Sequence, residues 1–195
     1  MSKYQEKQFN MNLLSGISEK QTEEHLKLYA GYVKHANLIL EKIEELSGEE
    51  GDNSYVISEL RRRFSFEFNG MRMHEYYFES LEKGSKGLSD SSKLAESIGN
   101  LDSFVEEFKL VGMTRGIGWV VAYFDEPKDS IQIAWVGDHE LGQLGGLPII
   151  LVMDMWEHAF MVDYLPSEKK KYIEAFFDNI NWDVVEERFN KLNIK

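Results

Sequence analysis

Apolar residues recur at helical spacing in the first part of the chain and at strand spacing further on. From Ser18 to Leu46 the stripe Tyr29, Tyr32, Ala36, Ile39 and Ile43 keeps the i, i+3, i+4 rhythm of one long amphipathic helix. Ser18 or Thr22 can cap it, Glu19, Glu23 and Glu24 complement its dipole, and Gly48 follows its end. A polar turn from Gly48 to Ser54 leads to a second helical stretch from about Tyr55 to Leu81, so the two predict an αα-hairpin. The small-residue segment Gly84 to Ser92 reads as a linker and domain boundary. Lys93 to Leu110 has helical texture, after which the period changes. Gly116 to Phe124 and Ser130 to Val136 read as strands joined by the turn Asp125 to Asp129, and Leu147 to Met153 as a third, fully buried strand. Helical texture returns from Trp156 to the end, broken by Pro166. The pattern predicts an α+β fold: an N-terminal domain, residues 1–84, made of a long α-hairpin, then a C-terminal domain, residues 85–195, with a three-stranded antiparallel sheet flanked by helices.

Composition narrows the function. The 195 residues contain 34 Asp and Glu against 22 Lys and Arg, a net charge of −12, and no cysteine. Nucleic acid is not an expected partner, because phosphate contacts need clustered cations. An anionic membrane surface is disfavoured for the same reason. The longest apolar run, Leu147 to Met153, is far short of the ~20 residues of a membrane helix. With a polar N-terminus that lacks an apolar signal core, a cytoplasmic location is expected. Without cysteine there are no disulfides, thiolate metal sites or cysteine nucleophiles, so any metal ligands must be His, Asp or Glu.

The five histidines are therefore informative. Asp154 closes the third apolar strand and His158 follows in the first turn of the next predicted helix. Asp154 is either an N-cap or, with His158, half of a ligand pair. His74 sits on a face with Phe66, Gly70, Met71, Tyr77, Phe78 and Leu81, which suits either a hydrogen-bonded core histidine or a ligand. Gly70 costs roughly 1 kcal/mol inside a helix, which predicts the close approach of another group. His25 projects from the aromatic stripe of the first helix. His35 falls about 80° off that stripe, at ~100° per residue, and reads as a surface residue. His139, in a loop after the second strand, reads in isolation as solvated. Together His25, His74, Asp154 and His158 make a three-imidazole, one-carboxylate set that suits Fe, Mn or Zn rather than Mg or Ca.

The segment Asp154-Met155-Trp156-Glu157-His158-Ala159-Phe160 resembles the Asp-x-Trp-Glu-His-Ala-aromatic signature of the iron/manganese superoxide dismutase family. His74-Glu75-Tyr76-Tyr77-Phe78 is similar to that family's second-helix ligand segment, and Gly116-Ile117-Gly118-Trp119 to its Gly-x-Gly-Trp strand. Tyr32-Val33-Lys34-His35-Ala36-Asn37 and Asn181-Trp182-Asp183 match two further motifs, so the resemblance spans most of the chain. It implies a superoxide dismutase with one Fe or Mn ion per subunit, held by His25, His74, Asp154 and His158, and a homodimer or tetramer. The family pattern places the first ligand eight residues before the Tyr-Val pair. His25 precedes Tyr32 by seven and Glu24 by eight, so His25 requires a one-residue deletion of the kind a π-bulge accommodates.

The resemblance also implies that Tyr32 and His139 form the proton-delivery network. In it, Gly70 leaves room for a side chain arriving from the sheet domain, and Trp119, Trp156 and Phe78 wall the site. Glu157 would meet the partner subunit's ligand histidine. The family's usual first-helix histidine is replaced by Tyr29 or Leu28, and its second aromatic after the signature by Met161. Lys169, Lys170 and Lys171 are either cations guiding an anionic substrate or a solvated helix start. The alternative readings are a non-catalytic homologue and a differently acting mononuclear iron protein on the same scaffold.

Overall fold

A long first helix, α1 (Glu19–Gly48), starts where the Ser18 hydroxyl accepts from the Gln21 amide at 3.0 Å, which selects Ser18 over Thr22 as its cap. It is a regular α-helix throughout, with no π-bulge between His25 and Tyr32. Its buried stripe is Gln21, His25, Tyr29, Val33, Ala36, Ile39 and Ile43, one residue or so per turn. A tight turn, in which the Asn53 side-chain Nδ2 donates to the Leu46 carbonyl, returns the chain into α2 (Ser54–Leu81). The computed structural model describes residues 2–192.

The expected helix over Lys93 to Leu110 is divided. Gly99, at φ +75°, ends α3 (Lys93–Ile98), and the Asn100 side chain caps α4 (Leu101–Gly112) by accepting from the Ser103 amide. Then come β1 (Gly118–Asp125), β2 (Ser130–Gly137) and β3 (Ile149–Asp154), all antiparallel in the order β2-β1-β3. The central strand is buried on both faces, which is why it reads as an unbroken apolar run. On one face Phe124 packs on Phe189 of α6 (Trp182–Asn190). On the other, Trp119 pairs in register with Asp154, so both side chains point toward the helices. Gly118 explains the Gly-x-Gly-Trp spacing: a Cβ there would stand 2.2 Å from the Val136 carbonyl oxygen.

The helix expected from Trp156 is absent. The segment forms two single 3-10 turns, Glu157–Ala159 and Pro166–Glu168, before α5 (Lys169–Asn179). The cause is local: Asp154 Oδ1 accepts from the Trp156 amide at 2.8 Å, a turn that competes with helix, and Phe160 leaves helical geometry at φ −146°. The end of the helical expectation, residues 193–195, lies outside the described residues.

The described residues before α1 form no helix and strap the hairpin. Tyr4 exchanges two hydrogen bonds with the Asn37 side chain, the Lys7 amide donates to the Tyr29 hydroxyl, and the Asn10 amide to Glu82. Arg188 ties α6 to α2 and β3, donating to the carbonyls of Ile150 (2.6 Å) and Tyr76 (3.3 Å) and to Glu79 (3.1 Å). Replacing it removes donors from partly buried carbonyls and leaves Glu79 with Lys7, at 2.7 Å, as its remaining cation. Arg188→Met is expected to destabilise the chain by about 2–4 kcal/mol, read as a lower urea midpoint at unchanged m-value.

Candidate metal centre

Three imidazoles converge on one carboxylate oxygen. From Asp154 Oδ2, His25 Nε2 lies at 2.9 Å, His158 Nε2 at 3.1 Å and His74 Nε2 at 3.5 Å. The donor atoms of His25, His74, Asp154 and His158 all lie within 4.8 Å of one another, so the four could hold one metal ion. Each comes from a different local structure: α1, α2, the end of β3 and the turn after it. Asp154 caps no helix, because none follows it: Oδ1 accepts from the Trp156 amide in a local turn, while Oδ2 faces the imidazoles of His25 and His158.

The protonation pattern matches a ligand set. His74 Nδ1 lies 2.6 Å from the Gly70 carbonyl, which can only accept, so Nδ1 carries the proton and Nε2 presents a lone pair. That Nε2 is buried without a hydrogen-bond partner, the unsatisfied atom expected of an imidazole poised for a cation. Burial pushes His74 well below its ordinary value, and the His25 imidazole adds to this. Burial also lowers His25, against the opposing pull of Asp154. Burial alone would raise the Asp154 carboxyl, but His158 and His25 outweigh it and hold it below the usual carboxylate range. An ionised carboxylate beside the lowered imidazoles of His25 and His74 suits an iron or manganese ion.

Tyr32 and His139 meet beside this cluster. The Trp119 indole N–H donates to His139 Nδ1 at 2.9 Å. An indole can only donate, so a neutral His139 keeps its proton on Nε2 and donates it to the Tyr32 hydroxyl at 2.8 Å. Burial lowers the His139 imidazole to about 4, so at neutral pH it is uncharged. Burial, reinforced by the Asp154 charge, raises the Tyr32 phenol. Far from being solvated, the His139 ring is wholly buried, stacked on Trp156 at 4.8 Å and against Phe66 at 4.5 Å.

Gly70 does admit a close approach, but the group that arrives is the Tyr32 ring of α1, not a side chain from the sheet. A Cβ at Gly70 would stand 2.6–3.0 Å from three Tyr32 ring carbons. Trp119 and Trp156 pack on His74 and His158 at 4.9 and 5.6 Å, and Phe78 on His25 at 4.9 Å.

Glu24 faces solvent and pairs with Lys27 at 2.7 Å, away from the cluster. His35 is exposed. Tyr29, on the side of His25, turns its hydroxyl to Glu75 at 3.2 Å, whereas Leu28 is exposed. Glu157 and Met161 are exposed beside the His158 turn. In the lysine run, Lys169 donates to the Thr114 carbonyl at 2.8 Å and Lys171 pairs with Glu168 at 2.6 Å.

Sequence reasoning passed over three residues that hold the site. Buried Gln21 donates to the His158 carbonyl at 2.6 Å and accepts from the Val162 amide at 2.9 Å, which binds α1 to the turn carrying His158. Its place four residues before His25, on the same helical face, was the available signal. The Tyr172 hydroxyl donates to the Asp154 carbonyl at 2.7 Å, and Gln143 contacts the His139 loop; neither carries a local signal.

The family model for the C-terminal domain of iron/manganese superoxide dismutases matches residues 87–188. A superoxide dismutase (Fe) of Aquifex pyrophilus is 37% identical over 186 residues, covering 91% of this chain and 86% of that protein. A superoxide dismutase (Fe) of Methanothermobacter thermautotrophicus is 32% identical, covering 89% and 86%. A superoxide dismutase (Mn/Fe) of Aeropyrum pernix is also 32% identical, covering 94% and 88%.

Two outcomes follow from the site's packing and protonation. Gly70→Ala gains up to about 1 kcal/mol of helix propensity but forces the Tyr32 ring aside, so a net loss of about 1–2 kcal/mol is expected by urea denaturation. For pH, the folded values of His25, His74 and His139 lie below the unfolded one, so the unfolded chain takes up protons first as pH falls. The metal-free chain therefore loses stability as pH falls below about 6.5, by roughly 1.4 kcal/mol per pH unit for each excess proton; the His139 contribution is lost by about pH 4, and His25 and His74 act with the same sign. Thermal melts across pH 4–8 check this sign.

Proposed function

We propose that this chain, which belongs to the iron/manganese superoxide dismutase family, converts two superoxide anions and two protons to dioxygen and hydrogen peroxide. The observation that carries the reading is the convergence of three imidazole Nε2 atoms on Asp154 Oδ2, with the Nε2 of His74 left unpaired. His25, His74, Asp154 and His158 would hold one Fe or Mn ion, whose alternation between trivalent and divalent states supplies the one-electron chemistry when bound. A third converging imidazole favours this over the two-His, one-carboxylate site of a mononuclear iron oxygenase.

The other residues manage charge, protons and access. Asp154 brings the negative charge that offsets the cation. Tyr32 holds a proton at Oη for the reduced product, and the His139 Nε2–H hydrogen bond stabilises the phenolate left behind until solvent reprotonates it. Trp119, Trp156 and Phe78 enclose the ligands and exclude water, which strengthens each electrostatic contact inside. Against a net charge of −12, Arg63 is a cation near the site, although Glu67 pairs with it at 2.8 Å and offsets its charge. Its guanidinium lies 3.8 Å over Phe66, the ring that packs on His139.

A cytoplasmic homodimer is the proposed location and assembly. Exposed Glu157, on the turn that bears His158, supports the dimer, and the acidic, cysteine-free composition suits the cytoplasm. No helix among the described residues is long and apolar enough to cross a membrane. Residues 1–84 and 85–195 are the proposed domains, supported by the small-residue segment between them.

Metal analysis and a superoxide assay on the purified chain test the reading. One Fe or Mn per chain with dismutation is expected, and neither metal, or metal without turnover, overturns it. His25→Ala should lower metal affinity at least tenfold while Glu24→Ala leaves metal and rate unchanged; the reverse result moves the first ligand to Glu24.

A further inference from the structure

Gln143 belongs to no motif, yet each end of its amide is engaged. The Tyr123 hydroxyl donates to Oε1 at 2.5 Å, while Nε2 lies 3.2 Å from the His139 carbonyl and 3.7 Å from the Met73 sulfur. A carbonyl oxygen can only accept, so the amide has one permitted orientation, and Tyr123 locks it. These contacts join three elements: Tyr123 in β1, Met73 beside His74 in α2, and the loop that carries His139.

That loop needs holding. Asp138 sits at φ +50°, a left-handed conformation costly for a side-chain-bearing residue, and such backbone persists only where its surroundings impose it. Backbone bonds between Gly137 and Leu141 and from Asp138 to the Ile117 carbonyl close the turn, and side chains grip the two carbonyls between them. The Asp138 carbonyl accepts from the Trp156 indole at 3.1 Å, and the His139 carbonyl from Gln143. The Trp119 indole sets the rotation of the His139 ring but makes no bond to the loop backbone.

We propose that Gln143, clamped by Tyr123, is a positioning residue that keeps the His139 imidazole within hydrogen-bonding reach of the Tyr32 hydroxyl. It acts through the His139 backbone, and its effect on turnover rests on the proton-delivery role proposed above for Tyr32 and His139. Small displacements suffice: the Nε2 to Oη distance of 2.8 Å has little room before the bond weakens.

The test uses the metal-loaded full chain with Gln143→Leu, which keeps most of the volume and removes every polar contact. Metal content should stay at the parent level and the crystal structure of the variant should show His139 Nε2 beyond about 3.5 Å from Tyr32 Oη. The kcat should fall on the order of tenfold, less than the 10²–10⁴-fold effect of a general acid or base itself. The kcat/KM, set by encounter, should change by less than about twofold. Tyr123→Phe, which removes one hydroxyl, should show the same displacement and kcat/KM split with a smaller amplitude, and it decides the matter if Gln143→Leu does not fold. An unchanged His139–Tyr32 distance, or a loss of kcat in proportion to lost metal, overturns the proposal. If the parent chain itself has no dismutase activity, the reading of function fails while the crystallographic distance still decides the role of Gln143.

Discussion

A buried carboxylate is the constraint around which the molecule is arranged. Asp154 has no exposure to solvent, and an isolated ionised carboxylate in that position would be prohibitively costly. The protein meets the cost with directed contacts: the Trp156 amide on Oδ1, and three imidazoles around Oδ2. Burial and the neighbouring imidazoles both disfavour a proton on His25 and His74, so these two lie below their ordinary value. The arrangement leaves an unmatched negative charge and an unsatisfied nitrogen, and a cation with a preference for nitrogen and oxygen donors satisfies both.

The surrounding architecture reads as the scaffolding for that convergence. Strand β3 ends where His25 of α1 and His74 of α2 face one another, and the register between β1 and β3 sets Trp119 beside Asp154 on the helix-facing side. Gly70 lets the Tyr32 ring settle against α2 and so places the hydroxyl beside His139. Gln21 then fastens the irregular turn of His158 to the helix that carries His25. Without these contacts the ligands would be held by a hairpin, a strand end and a single 3-10 turn with no common frame.

Much of this was legible in the sequence where the signal is local. The stripes of α1 and α2, the apolar runs of the three strands and the Asp154 to Phe160 signature all repeat or cluster within a few residues. The misplaced features depended on competition or distance. Gly99 and Asn100 broke the helix expected over Lys93 to Leu110 because a positive φ and a side-chain cap outweighed its apolar period. The turn after β3 stayed out of helix because Asp154 spent one oxygen on the Trp156 amide. His139 looked solvated because Trp119, Trp156 and Phe66, which enclose it, lie 17 or more positions away in sequence.

The sequence by itself determined which atoms were available: with no cysteine and five histidines, the chemistry had to run through imidazole and carboxylate. It also determined the faces on which His25 and His74 project, because helical periodicity is a property of neighbours along the chain. Only the tertiary structure decided that His25 rather than Glu24 turns toward Asp154, and that the ring against Gly70 is Tyr32. It alone gave the direction of the hydrogen bonds running from Trp119 through His139 to Tyr32. Those outcomes depend on which elements approach and at what depth, and burial in three dimensions turns a titratable side chain into a neutral donor, an acceptor or a ligand.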